Sequence, residues 1–254
     1  MRTPVIDFHN HVGGWSTATA TDNQELYLKV MDSAGVDVAC VNCIFYGDAR
    51  RSNDTVAEFV AKRPDRFVGV GFVTPHYPDE AIPELERAFG ELGMKFLKVY
   101  PTYFQKPIDD PGYFPIFEWC DENRIVIMSH SSLGGFEGDT LTRPAKFIPL
   151  AKRYPQIRWV LAHSGNREIG NHEAINAAQE CPNIYLETAT SMANHGTIER
   201  LVDGAGEDRV LYGSDTNLLD MRLMVGRIVT AEISSEAKLK VLGLNAIKLL
   251  GLDI

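Results

Sequence analysis

The sequence predicts a single α/β domain over residues 1–254, a (β/α)₈ barrel. Three observations predict it. The length of 254 residues is that of such a barrel, and no linker-like stretch divides it. Short apolar runs alternate with amphipathic stretches along the whole chain, eight times. The polar residues able to do chemistry recur where those runs stop, at the C-terminal ends of strands, where barrel active sites are built. The competing architecture, an open doubly wound sheet, requires a Gly-rich turn that opens a helix. Gly69-Val70-Gly71 lies inside a strand and opens none.

Val5 to Phe8 forms the first strand, running into His9-Asn10-His11. Gln24 to Ala34 has a helical period and Gly35 ends it. Val36 to Phe45 is strand two. Asn53 caps a helix reaching Lys62, which Pro64 closes. Phe67 to Val73 is strand three, Asp79 caps a helix through Glu91, and Met94 to Tyr100 is strand four, ended by Pro101. After a short helix from Pro115 to Glu122, strand five (Arg124 to Met128) runs into Ser129-His130-Ser131. A helix from Thr142 to Arg153 leads to strand six (Arg158 to Ala162), which runs into His163-Ser164-Gly165. Helix Asn171 to Glu180, strand Asn183 to Leu186, helix His195 to Val202 and strand Arg209 to Tyr212 follow. The last strand ends in Gly213-Ser214-Asp215. Leu218 to Thr230 is helical, and a final helical pair, interrupted at Gly243, reaches Leu250. Gly134, Gly135 and Gly138 around Phe136 make 131–140 a candidate lid.

The net charge of −9, without a Lys/Arg block, argues against a nucleic-acid or anionic-membrane partner. No apolar run is long enough to span a bilayer and no leader precedes Val5, so the expected location is the cytoplasm. A homodimer is plausible by general frequency only. Cys40 and Cys43 have C-x-x-C spacing, but within a strand they point to opposite faces. Buried thiols are expected there, not a redox or zinc pair.

In a strand, residues two apart share a face, so Asp7, His9 and His11 are expected on one side, with about 6–7 Å between the two histidine backbones. Two imidazoles so placed can close on one ion. Closure of a barrel sets strands one and eight side by side, which lets Asp215 join them. Imidazole and carboxylate are the donors that Zn²⁺ and similar ions take in a site that keeps an open position. Lys98, His130 and His163 end strands four, five and six in the same region. Tyr46, Arg50, Arg51, Tyr100, Tyr103, Arg143 and Arg167 follow strands around the mouth. Of these, Tyr100 and Arg143 are taken, with Lys98, as candidate substrate contacts.

Asp7-Phe8-His9-Asn10-His11, His130-Ser131, Leu161-Ala162-His163-Ser164-Gly165 and Leu211-Tyr212-Gly213-Ser214-Asp215 together resemble the amidohydrolase superfamily. The amidohydrolase-2 branch, with its aminocarboxymuconate-semialdehyde-decarboxylase-like enzymes, is the nearest in pattern. The C-terminal helix bearing Asn245-Ala246 is similar to that branch too. The resemblance implies one divalent metal, zinc first and Mn²⁺ second, on His9, His11, His130 and Asp215. It implies catalytic roles for His163 and Asp215, and a small-molecule substrate. A binuclear site bridged by carboxylated Lys98 is the alternative. The activity expected is hydrolysis of a small amide, lactone or ester by metal-activated water, because the decarboxylases of the branch tend to be longer. Non-oxidative decarboxylation of an unsaturated or aromatic acid is the second expectation.

Overall fold

The computed structural model describes residues 3–13, 23–133 and 140–254. The candidate lid glycines lie outside the described residues. Eight strands run parallel in sequence order: β1 (Ile6–His11), β2 (Val38–Asn42), β3 (Phe67–Phe72), β4 (Phe96–Val99), β5 (Val126–Leu133), β6 (Arg158–Asn166), β7 (Ile184–Glu187) and β8 (Val210–Leu211). Backbone bonds close the barrel. Phe8 N–H donates to Tyr212 O at 3.0 Å, Asp215 N–H to His9 O at 2.8 Å, and His11 N–H to Thr216 O at 2.6 Å.

Helices cover the outside: α1 (Gln24–Ala34), α2 (Ala49–Ala61), α3 (Pro78–Gly90), α4 (Pro101–Phe104), α5 (Phe114–Glu122), α6 (Phe147–Arg153), α7 (Glu168–Glu180), α8 (Thr197–Ala205), α9 (Met221–Val229), α10 (Ser235–Leu239) and α11 (Asn245–Leu250). None is long and apolar enough to cross a membrane among the described residues. Strand alternation sorts the apolar side chains into two cores. Ile6, Phe8, Cys40, Val70, Phe96 and Met128 fill the barrel, plugged at its lower end by Ala246 and Leu249 of α11. A larger layer around Trp159, Phe117 and Phe147 joins barrel to helices. Cys40 faces the first and Cys43 the second, both buried and outside any disulfide, as the strand reading expects.

Some helix starts differ from the expected ones. Asp48, not Asn53, caps α2, accepting from Arg51 N–H at 3.0 Å. Asn53 lies inside α2 and is buried, exchanging two hydrogen bonds with the backbone of Phe72 and donating to Glu84 of α3. Helix α7 starts at Glu168 rather than Asn171, because Gly170 is a contact point and not a breaker. A Cβ on Gly170 would stand 1.9 Å from the carbonyl oxygen of Gly165, and one on Gly165 would stand 2.2 Å from the Gly170 backbone. Gly170→Ala is therefore expected to destabilise the fold by about 3 kcal/mol through overpacking. That corresponds to a melting temperature lower by roughly 6–12 °C. An unchanged melt would show that β6 and α7 do not meet at this point.

Candidate active site

Two β-bulges aim side chains into the C-terminal mouth. In the β1–β2 ladder Ile6 pairs with Val38 and Asp7 with Ala39, but Asn10 pairs with Val41 and His11 with Asn42. One extra residue in β1 reverses the alternation between Asp7 and Asn10. His9 and His11 thus share the inner face as expected, and Asp7 does not join them. Its Oδ1 accepts from the N–H groups of His9 (3.2 Å) and Ser214 (2.9 Å), and its Oδ2 from the Tyr212 hydroxyl (3.2 Å). Tyr212 belongs to the barrel–helix layer. Burial pushes the Asp7 carboxyl up to about 7. Asp7 is a clamp on the β1–β8 seam, behind the site. The second bulge lies in β6, where the register against β5 shifts between His130 and Ser132. His163 and Ser164 there adopt φ of 66° and 46°. This is uncommon for residues with a Cβ, and it turns His163 inward.

At the seam, Asp215 Oδ1 stands 2.9 Å from His11 Nε2 and 3.6 Å from His9 Nε2. All three residues are buried. Burial alone raises the Asp215 carboxyl, but His9, His11 and His163 outweigh it and hold the group well below the usual carboxylate range. Burial, with the Lys98 charge adding to it, pushes His9 far below its ordinary value, so this imidazole is neutral.

Glu187, at the end of β7, was not anticipated from the sequence. It is fully buried. Its Oε2 accepts from His9 Nδ1 at 3.0 Å and His163 N–H at 3.1 Å, and its Oε1 accepts from Ala189 N–H. An acceptor here fixes the proton of His9 on Nδ1 and leaves the Nε2 lone pair as an acceptor, which Lys98 Nζ meets at 2.9 Å. His163 is set in the same way: Nδ1 donates to Ala189 O at 3.1 Å, which leaves Nε2 as the lone pair. His9, His163 and Glu187 also cluster closely. With three N–H donors already on its carboxylate, Glu187 orients the imidazoles. Gly213 makes room for it, since a Cβ there would lie 2.2 Å from Glu187 Oε1.

The other expected residues divide. Lys98 is fully buried, with Nζ 2.9 Å from His9 Nε2; burial lowers its pKa against the pull of Asp215 and Glu187. His130 lies beside the His9–His11–Asp215 trio rather than in it, its ring 4.8 Å from those of His163 and Tyr100. Its Nδ1 is buried without a hydrogen-bond partner. Tyr100 packs on Tyr103, centroids 4.1 Å apart. These two tyrosines, His130, His163 and Asp215 border one cavity of about 290 Å³. Arg143 does not reach that cavity. It is ion-paired with Glu173 of α7, which corrects its assignment as a substrate contact. The donor set fits a divalent cation: two imidazoles and an ionised carboxylate converge in a buried site, with a third imidazole that has an unpartnered nitrogen beside them.

A parallel eight-stranded barrel carrying such a cluster at the C-terminal ends of its strands defines an enzyme of the amidohydrolase superfamily. A family model described as amidohydrolase matches residues 6–252, and the chain belongs to this family. It is 27% identical over 239 residues to a 2-amino-3-carboxymuconate-6-semialdehyde decarboxylase of Dictyostelium discoideum, covering 81% of this chain and 67% of that one. It is 33% identical over 251 residues to a gamma-resorcylate decarboxylase of Rhizobium radiobacter, covering 76% of each. A crystal structure of 5-carboxyvanillate decarboxylase from Novosphingobium aromaticivorans, complexed with manganese and a nitrobenzoic acid, superposes with a TM-score of 0.80. The match has 19% identity and covers 98% of this chain and 96% of that one. These relatives are decarboxylases, which overturns the expectation of amide, lactone or ester hydrolysis.

Proposed function

We propose that this enzyme is a metal-dependent, non-oxidative decarboxylase of a small aromatic or conjugated carboxylic acid. The observation that carries the reading is the cavity over the histidine–aspartate cluster. At about 290 Å³ and walled by Tyr100 and Tyr103, it suits one planar ring. It lies near the lower end of the ~300–1,000 Å³ of small-molecule sites. The decarboxylase names of the relatives support the same reaction.

His9, His11 and Asp215 would hold one divalent cation, with His130 as the further donor. Mn²⁺ ranks ahead of Zn²⁺ because a structural neighbour carries manganese. Bound there, the cation supplies a Lewis acid that draws in the oxygens of the acid and offsets developing negative charge. The C–C bond to the carboxylate breaks, its electron pair stays on the ring carbon, and a proton must arrive there as CO₂ leaves. Asp215 is the carboxylate on the cavity wall, with Oδ1 facing the imidazoles; ionised at rest, it would take a proton from the substrate and pass it to that carbon. His163 Nε2 accepts a hydrogen bond from the substrate, and Tyr100 and Tyr103 stack on the ring. Lys98, beneath His9, adds positive potential for an acid.

Stripping the protein with a chelator is expected to abolish CO₂ release from 2,6-dihydroxybenzoate and related hydroxybenzoates, and Mn²⁺ to restore it better than Zn²⁺. In D₂O the product gains one deuterium at the vacated carbon. Cleavage of lactones or amides by a reconstituted protein that releases CO₂ from no acid would overturn the reading.

A further inference from the structure

The geometry points to Asn171, a residue of α7 outside the cavity, as the positioning residue that holds His163 on the cavity wall. The part His163 plays in the reaction rests on the decarboxylase reading; its placement rests on the backbone. Along β6, Trp159 and Leu161 face the helix layer, while Val160 and Ala162 face the barrel interior. Plain alternation would send His163 to the helix layer, away from the histidine–aspartate cluster. The bulge reverses this. His130 pairs with Ala162 and Ser132 with Gly165, so His163 and Ser164 stand opposite Ser131 alone. Four consecutive residues then carry a positive φ: His163 (66°), Ser164 (46°), Gly165 (81°) and Asn166 (64°). Glycine enters that region freely and asparagine at less cost than most, so His163 and Ser164 stay there only if their surroundings hold them.

Among the described residues, three side chains hold this turn. Ser164 Oγ donates to Glu187 O at 2.7 Å, Thr190 Oγ1 to Asn166 Oδ1 at 2.7 Å, and Asn171 Nδ2 to Ser164 O at 2.6 Å. The first belongs to the turn itself, and Thr190 grips its far end. Asn171 reaches in from the helix layer and binds the carbonyl of the residue next to His163. It is 4% exposed and does not border the cavity. Neither helix propensity nor burial favours a primary amide inside a helix, so the bond to Ser164 O accounts for its presence. Gly170, next to it, meets Gly165 backbone to backbone and lets α7 come this close. With the turn in place, His163 N–H donates to Glu187 Oε2 and Nδ1 to Ala189 O, and the ring borders the cavity. Release of the Ser164 carbonyl lets its peptide rotate, and both His163 bonds loosen with it.

The test compares wild type with Asn171→Ala, and with the milder Asn171→Ser should the alanine protein not fold. NMR of protein carrying isotopically labelled histidine, loaded with diamagnetic Zn²⁺, reads the tautomer of each imidazole; His163 is assigned by its loss in His163→Gln. Wild type is expected to show His163 protonated on Nδ1. In Asn171→Ala the His163 proton spreads to Nε2, while His9, held by Glu187, keeps its own on Nδ1. On the same preparations kcat/KM for 2,6-dihydroxybenzoate falls about 10–100-fold with metal content unchanged. A shift of the His163 tautomer alone, in a protein whose wild type releases CO₂ from no acid, upholds the positioning and sinks only the reaction. A wild type with His163 protonated on Nε2 overturns the inference before any variant is made. So does a His163 signal that Asn171→Ala leaves unchanged, a shift shared equally by His9, or a shifted tautomer with the rate of an active wild type retained.

Discussion

Asp215→Asn is expected to fold normally and to turn over about 10³-fold more slowly than wild type. Asp215 adopts φ of 60°, a left-handed conformation that asparagine tolerates nearly as well as aspartate. Its backbone N–H to His9 and its carbonyl bonds to Leu218 and Leu219 do not involve the side chain. The substitution therefore leaves the seam in place and removes one negative charge and one proton carrier. Metal content should fall with the rate. Circular dichroism, metal analysis and CO₂ release on one preparation check the three parts. Retention of more than a tenth of wild-type activity would remove Asp215 from the chemistry.

Glu187→Ala is the second large effect. It strands three N–H donors at once, those of His9 Nδ1, His163 N and Ala189 N. A buried donor left without an acceptor costs about 1–3 kcal/mol. Three in one network do not add fully, so a loss of roughly 3–5 kcal/mol is expected. His9 is then free to turn or to move its proton to Nε2, and metal affinity should weaken about 10–100-fold. Glu187→Gln keeps the volume and one acceptor and should lie between. Urea denaturation and metal titration of the three proteins measure both consequences. A Glu187→Ala protein that binds the cation as tightly as wild type would show that His9 needs no orienting partner.

The barrel was legible because its signal is repetitive: eight apolar runs alternate with amphipathic stretches, and five of the runs carry a chemistry-bearing polar residue at or near the same edge. His9 and His11 were legible because a two-residue spacing fixes a shared face. Asp7 was misplaced by the same rule. Period-two counting cannot see the extra residue that β1 inserts before Asn10, and that residue sends the carboxylate to the outer layer. Glu187 was missed because the apolar run stops at Leu186, although a carboxylate at a strand end follows the rule that found Lys98 and His130. Arg143 was misjudged because a loop arginine does not announce its partner. Glu173 lies thirty residues on, in a helix. Hydrolysis and decarboxylation draw on one constellation of side chains, so the choice of reaction had no separate signature in the residues.

The seam between β1 and β8 has a consequence for biosynthesis. The groups that meet there are separated by about two hundred residues, so their union carries a large loop-closure penalty. During translation His9 and His11 emerge about two hundred residues before Asp215, and the seam cannot close until Asp215 has left the ribosome. A nascent product that stops short of Asp215 has no complete pocket.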